Sequence, residues 1–346
     1  MQGNHLIIGG CGMAGAHLAL RAFKESNIIL VDDLSGAGAR DRLKMIKELR
    51  PDAVFCEADV CDSSAIEAIH EMAQKRLGGI SSTIFAAGVP TGATARENPT
   101  KTIRAYSQGL INAIEAHARH SHYQPFIFLS HYLVYGSNHP CVSHTIKEEG
   151  QMEYRHQSGL IELPPDLEVD PDTLLGHCVR HGEEILRWYC SRSQLRTAFC
   201  LRASLLYGDL VCGSAADLMQ YVIHSVYENE MASLHFNPLS VIDPLHLEDL
   251  GHLVVRLTEI DYPGYMFFPV GGGKAAAISL TRVMFTTNDM LGKNHKVDCN
   301  VHSVIEPNPN WYVSNLDVAR ELTGWKPRIQ PIRGTQMTLA QLRDQS

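Results

Sequence analysis

Short apolar runs alternate with helically spaced apolar residues along the first two-thirds of the chain. "HLIIGG", from His5, is an apolar run closed by glycines, and "MAGAHLALRAFKES" after it has the helical spacing. "NIILVDD", "AVFCEADV" and "STIFAAG" repeat the short run, with a helical stretch from about Ser63 to Lys75 before the last. "TIRAYSQGLINAIEAHARH" predicts a long helix and "PFIFLS" a fifth strand. "GHCVRHGEEILRWYCSR" then predicts a helix and "LRTAFCLRAS" a strand. Apolar runs bounded by turn residues read as buried strands, and a 3.6-residue period reads as helices against a core. Their alternation predicts an α/β fold with a doubly wound parallel sheet and right-handed crossovers. The stretch His139–Asp172, rich in Pro, Glu and His, breaks the alternation and predicts a long functional loop.

Composition narrows the class. The 346 residues, 45% of them hydrophobic, suffice for one large domain with an annex or for two domains. A net charge of −8 without a basic run argues against a nucleic-acid partner. No apolar run approaches the roughly 20 residues of a membrane span. The chain enters a strand almost at once, without a signal peptide, and its nine cysteines include no Cys-x-x-Cys pair. They read as reduced thiols of a cytoplasmic protein, and no metal is expected. His117, His120 and His122 read as surface residues at a helix end.

The first chemical motif is Gly9-Gly10-Cys11-Gly12-Met13-Ala14-Gly15, between the first strand and the first helix. Gly9 permits the tight turn, Gly12 the approach of a pyrophosphate, and Gly15 close packing of helix on strand. The helix N-terminus, opening with Met13 and Ala14, then offers N–H groups to the phosphates. Asp32-Asp33 closes the second strand at the distance expected for a ribose-binding carboxylate. A carboxylate there bonds the ribose hydroxyls and repels a 2′-phosphate, so NAD is the expected cofactor.

With these residues in place the chain resembles the extended short-chain dehydrogenase/reductases, the nucleotide-sugar epimerases and dehydratases, over nearly its full length. "VDDLSGAGARDRL", including Leu34 and Ser35, resembles the family's stretch after strand two, and "EADVCD" implies that Asp59 and Val60 lie by the adenine. "FAAG" (Ala86, Ala87, Gly88) resembles the strand that passes the cofactor, and "FIFLSHYLVYG", with Ser130, resembles the segment ending Val-Tyr-Gly. "LRASLLYG", "IDPLHLEDL" and "LDVARELTGWKP" resemble later family segments. The resemblance implies a Rossmann domain over 1–207, with 241–257 returning to it, and a smaller substrate domain over 208–346. It also implies a small-molecule substrate and a homodimer. The pairing helices would be about Thr102–Arg119 and Gly176–Arg192, whose apolar stripes include Ile103, Leu110 and Ile114, and Ile185, Leu186, Trp188 and Tyr189.

The departures fall on the chemistry. The family's Tyr and Lys acid/base positions fall at Leu175 and Val179, and its Ser/Thr falls at His131. The Asn and Arg that hold a sugar nucleotide fall at Leu205 and Ile242, and no Arg lies between Arg282 and Arg320. An enzyme with replacement groups is the leading expectation. Its first candidate is His131, because imidazole titrates near neutrality; Cys178, His177, Tyr154 and His156 follow. For each, packing or a solvated surface position is the competing reading. A non-catalytic NAD-binding protein and a conventional epimerase or dehydratase are the alternatives.

Overall fold

The computed structural model describes residues 3–89, 91–137, 142–146, 152–156, 162–164, 167–211, 217–235, 237–293, 299–301 and 307–345, with the backbone alone for 142–146, 152–156, 299–301 and 345. The first part of the chain runs β1 Asn4–Ile8, α1 Met13–His17, β2 Asn27–Asp32, α2 Ala39–Leu49, β3 Val54–Glu57, α3 Ser63–Leu77, β4 Ser82–Phe85, α4 Gly92–Glu97, α5 Pro99–Arg104, α6 Leu110–His120 and β5 Pro125–His131. A 3-10 turn, Tyr132–Tyr135, leads toward an antiparallel hairpin of β6 Val142–Ile146 and β7 Met152–His156. The hairpin occupies part of the predicted loop. Then come α7 Leu174–Ser191, β8 Thr197–Ala203, β9 Leu206–Tyr207, α8 Leu218–Glu228, β10 Ala232–Leu234, β11 Val241–Ile242, β12 Leu245–His246, α9 Leu247–Leu257 and β13 Gly264–Val270. Helices α10 Leu280–Leu291, α11 Asp317–Thr323 and α12 Pro331–Gln345 end the chain.

A seven-stranded sheet has the order β3-β2-β1-β4-β5-β8-β13, with every neighbouring pair parallel. Its inner strands, buried on both faces, read as continuous apolar runs. Residues on opposite faces of β5 enter different cores. Phe126 and Phe128 join Ile66, Ile114 and Leu186 of α3, α6 and α7. Ile127 joins Leu18, Leu250 and Val254. A third core, with Val222 and Ile223 of α8, Val283 and Met284 of α10 and Leu339 and Leu342 of α12, lies near the C-terminus. The strand order reverses between β1 and β4, which opens a crevice at their carboxyl ends, where doubly wound sheets bind ligands.

Caps set the helix ends. Asp62 accepts the Ala65 N–H at the start of α3, and Thr173 accepts the Gly176 N–H at the start of α7. The "GWKP" stretch has a structural cause. The Asp249 carboxylate accepts the N–H groups of Arg328 and Ile329, while the Trp325 indole donates to the Asp249 carbonyl.

One surface reading needs correction. His117 is fully buried, with Nδ1 against Thr83 Oγ1 and Nε2 against the Gln124 carbonyl. The helix period had turned it toward β4 and β5. In the stripes read as pairing faces, Leu110, Ile114 and Leu186 pack in the core, whereas Ile103 and Trp188 are about half exposed.

Candidate active site

The glycine loop sits at the β1–β4 reversal. Gly9 has φ +83°, and a Cβ there would lie 2.6 Å from the Ala86 carbonyl, so turn and strand contact both demand glycine. A Cβ on Gly15 would stand 2.2 Å from the Gly9 oxygen, which fixes how closely α1 meets the turn. At Gly12 a Cβ would meet only the Gly9 oxygen, at 3.2 Å. Its other side is open, as the approach of a pyrophosphate requires. Met13 and Ala14 begin α1, half-buried, and the N–H groups of a helix's first turn lack intrahelical partners.

The two carboxylates after β2 have different surroundings. Asp32 accepts the Cys11 N–H at 2.9 Å on one oxygen and the Leu34 N–H at 2.8 Å on the other. Burial raises its pKa, opposed by those two hydrogen bonds. Each oxygen keeps a lone pair for a ribose hydroxyl. Asp33 is exposed and bonds Ser35 and Lys101, the latter at 2.8 Å. Burial pushes Asp33 up, but the Lys101 and Ser35 bonds outweigh it and hold the carboxyl below its usual range.

The remaining cradle residues divide. Asp59 is exposed and accepts the Cys61 N–H, while Val60 is buried with its carbonyl on Asn112. Ala86 donates to the Ile8 carbonyl, Ala87 is half-buried, and Gly88 lies against the Tyr106 hydroxyl. Ser130 points elsewhere: its hydroxyl donates to Glu183 Oε1 at 2.6 Å.

The chemical candidates are not gathered. His131 ends β5 with extended backbone, half-buried and stacked on Tyr132 at 4.6 Å between ring centres. Its Nδ1 accepts the Leu133 N–H at 3.2 Å, so the neutral ring carries its proton on Nε2. Burial lowers its pKa to about 4. On this geometry the ring offers an Nε2–H donor, its Nδ1 lone pair being taken by the Leu133 N–H. Cys178 is buried, and burial raises its thiol pKa, so it stays protonated. His177 is exposed on α7. The backbone of Tyr154 and His156 lies in β7, and their side chains lie outside the described residues. Leu175 and Val179 are wholly buried in the core that holds Phe128 and Tyr132.

A buried network escaped the sequence reading. Arg202 of β8 grips Glu183 of α7 through Nε at 3.0 Å and Nη2 at 2.8 Å, and its Nη1 donates to the Tyr135 hydroxyl at 3.1 Å. The Phe267 ring lies 4.0 Å from the guanidinium. A lone arginine in the apolar run "AFCLRAS" was the available signal, since a buried charge needs a partner. Tyr132, Tyr312 and Tyr135 form an aromatic column, with ring centres 4.9 and 5.8 Å apart, and the Tyr132 hydroxyl donates to Asn308. Leu205 and Ile242 meet, with Met219, Pro244 and Leu280, around an apolar cavity of about 10 Å³.

The profile of the NAD dependent epimerase/dehydratase family matches residues 5–262. The chain belongs to this family. NAD is accordingly its cofactor, and the glycine loop and Asp32 fit that group. A UDP-glucose 4-epimerase from Thermotoga maritima, solved with UDP-glucose, shares the fold at a TM-score of 0.81 and 17% identity, over 99% of each chain. A UDP-glucose 4-epimerase from Thermus thermophilus, complexed with NAD, gives 0.79 and 16% over 98% of this chain and 99% of that one. A dTDP-glucose 4,6-dehydratase from Bacillus anthracis, also with NAD, gives 0.78 and 18% over 99% and 96%. No curated protein matches the sequence.

Proposed function

We propose that this family member binds NAD in the β1–β4 crevice and acts on a small non-nucleotide or modified-sugar substrate, without the Tyr and Lys pair. The observation that carries the reading is the hydrogen bond from Leu133 N–H to His131 Nδ1, which leaves Nε2–H to polarise a substrate oxygen. NAD, when bound, supplies the hydride acceptor or donor. The protein's part is orientation and hydrogen bonding. His131 Nδ1 is occupied by the Leu133 N–H and the Cys178 thiol is held protonated by burial, so the proton would exchange with water, with His177, or with the β6–β7 hairpin that carries Tyr154 and His156. The apolar meeting of Leu205 and Ile242 supports a substrate without a nucleoside diphosphate, because arginine forks suit a diphosphate and aliphatic side chains do not.

The two-part division at residue 207, a homodimer and a cytoplasmic location belong to the same proposal. The exposed Ile103 and Trp188 support pairing, and the free thiols among the described cysteines support a reducing compartment. No described helix is long and apolar enough to cross a membrane.

A second reading, an NAD-binding protein without turnover, is favoured by Leu175 and Val179, which fill the acid/base positions with buried hydrocarbon. The deciding experiment mixes the NAD-loaded protein with a panel of polyols, free sugars and their oxidised forms while following reduced-nicotinamide absorbance. Hydride transfer to or from any of them supports the first reading. Tight NAD binding with no transfer across the panel supports the second.

A further inference from the structure

Arg42, near the start of α2, is about 1% exposed, as is Asp209, just after β9. Arg42 Nε donates to Asp209 Oδ1 at 2.9 Å, and Nη2 meets Oδ2 in the second arm of the fork. Arg42 Nη1 reaches the Ala37 carbonyl at 2.9 Å and the Cys11 carbonyl at 3.4 Å. Ala37 lies in the loop after β2 and Cys11 in the glycine loop, so one guanidinium joins both walls of the adenosine side of the cradle. The Cys11 side chain adds to the joint, packing with Leu34, Ala39 and Leu43.

Asp209 is held from the other side. Asp217, the N-cap of α8, accepts the N–H groups of Gly208 and Asp209 at 2.6 and 2.9 Å. Gln220 of α8 donates to the Asp209 carbonyl at 3.1 Å. A continuous hydrogen-bonded path therefore runs from the first turn of α8, through Asp209 and Arg42, to the two cofactor loops. Its middle is dry, so the bonds are little screened by solvent or salt. Such a path carries coupling only if both ends respond to each other, and coupling is reciprocal.

We propose that Asp209 is a positioning residue for the cofactor: through Arg42 it lets the α8 region set NAD affinity, and NAD binding in turn steadies α8. The inference rests on NAD occupying the glycine-loop crevice. The pair braces the adenosine and pyrophosphate half, so ADP-ribose feels it as NAD does.

The test combines calorimetric titration of the full chain with NAD and with ADP-ribose, and hydrogen exchange of the α8 amides with and without NAD. In the wild type, NAD slows exchange across Leu218–Glu228. Asp209→Asn weakens NAD and ADP-ribose alike, by about tenfold or more, and abolishes the slowing. Arg42→Lys keeps the buried charge paired but loses the fork, and it shows the same pattern in milder form should Asp209→Asn fail to fold. Asp209→Glu restores part of the affinity. Unchanged NAD affinity in a folded Asp209→Asn or Arg42→Lys variant overturns the inference alone, as does weakened binding with the α8 slowing retained. Failure of the wild-type chain to bind NAD overturns the cofactor reading and the inference with it.

Discussion

His131 Nδ1 accepts the backbone N–H of Leu133, 3.2 Å away and two residues further along the chain. That bond fixes the tautomer of the one imidazole at the end of β5. Protonation would have to displace it, and burial already holds the pKa near 4. Any turnover should therefore be flat with pH across neutrality and fall only in acid as His131 charges. His131→Ala should lower kcat by roughly 10²-fold, the usual loss of one oxygen-polarising donor, with NAD affinity unchanged. Steady-state rates of the two proteins across pH check this. A limb near pH 6.5 that vanishes in the variant would show a titrating acid/base instead.

Arg202 and Glu183 form a buried pair whose separation leaves an uncompensated charge. Arg202→Met should destabilise the fold by about 3–5 kcal/mol. Replacing both, as Arg202→Met with Glu183→Leu, should recover much of that loss, although Ser130 and Tyr135 also lose a partner. Urea unfolding of the two variants checks the order.

Acid should weaken the protein before its surface carboxylates titrate. Burial lowers His5 and His117 to about 4 and His17 and His70 to about 3, from an ordinary 6.5. Between 6.5 and those values the unfolded chain binds protons that the folded chain refuses, so stability falls as pH drops through 6.5. Asp217 and Asp243 act in the opposite sense. Burial raises both to about 6, so they add stability as pH falls from 6 toward 3.8. The histidines outnumber them and act first. Each contributes up to about 1.4 kcal/mol per pH unit, and urea midpoints should drop steadily from pH 7.5 to 5.

Nucleotide sugars should bind poorly. Leu205 and Ile242 close on an apolar cavity of about 10 Å³ and offer no charge-assisted hydrogen bond to a diphosphate. Titration with UDP- and dTDP-hexoses should show no binding at submillimolar concentration. Micromolar affinity for either would restore a conventional epimerase or dehydratase.

The sheet was legible in the sequence because parallel strands buried on both faces leave unbroken apolar runs, and the glycine loop because Gly9 and Gly15 meet backbone at distances no side chain tolerates. The edge strand β13 was not read: "GYMFFPV" carries exposed Phe267 and a proline, which blurs the signal. The burial of His117 was missed because a histidine on a helix face looks alike whether it meets water or a strand. The destination of Ser130 was missed because nothing local announces that a residue 53 positions later will take its hydroxyl. The tautomer of His131 depends on a backbone N–H whose direction only the turn Tyr132–Tyr135 settles.

The central claim is that the cofactor half of the site is intact and built for NAD. Asp32 is fixed at the end of β2 by the Cys11 and Leu34 N–H groups, and the Lys101 charge is taken up by Asp33. The most direct measurement is a calorimetric comparison of NAD with NADP on the full chain. The account predicts NAD binding tighter by about tenfold or more, a difference of about 1.4 kcal/mol at the least. Equal affinities, a preference for NADP, or no binding of either would contradict it.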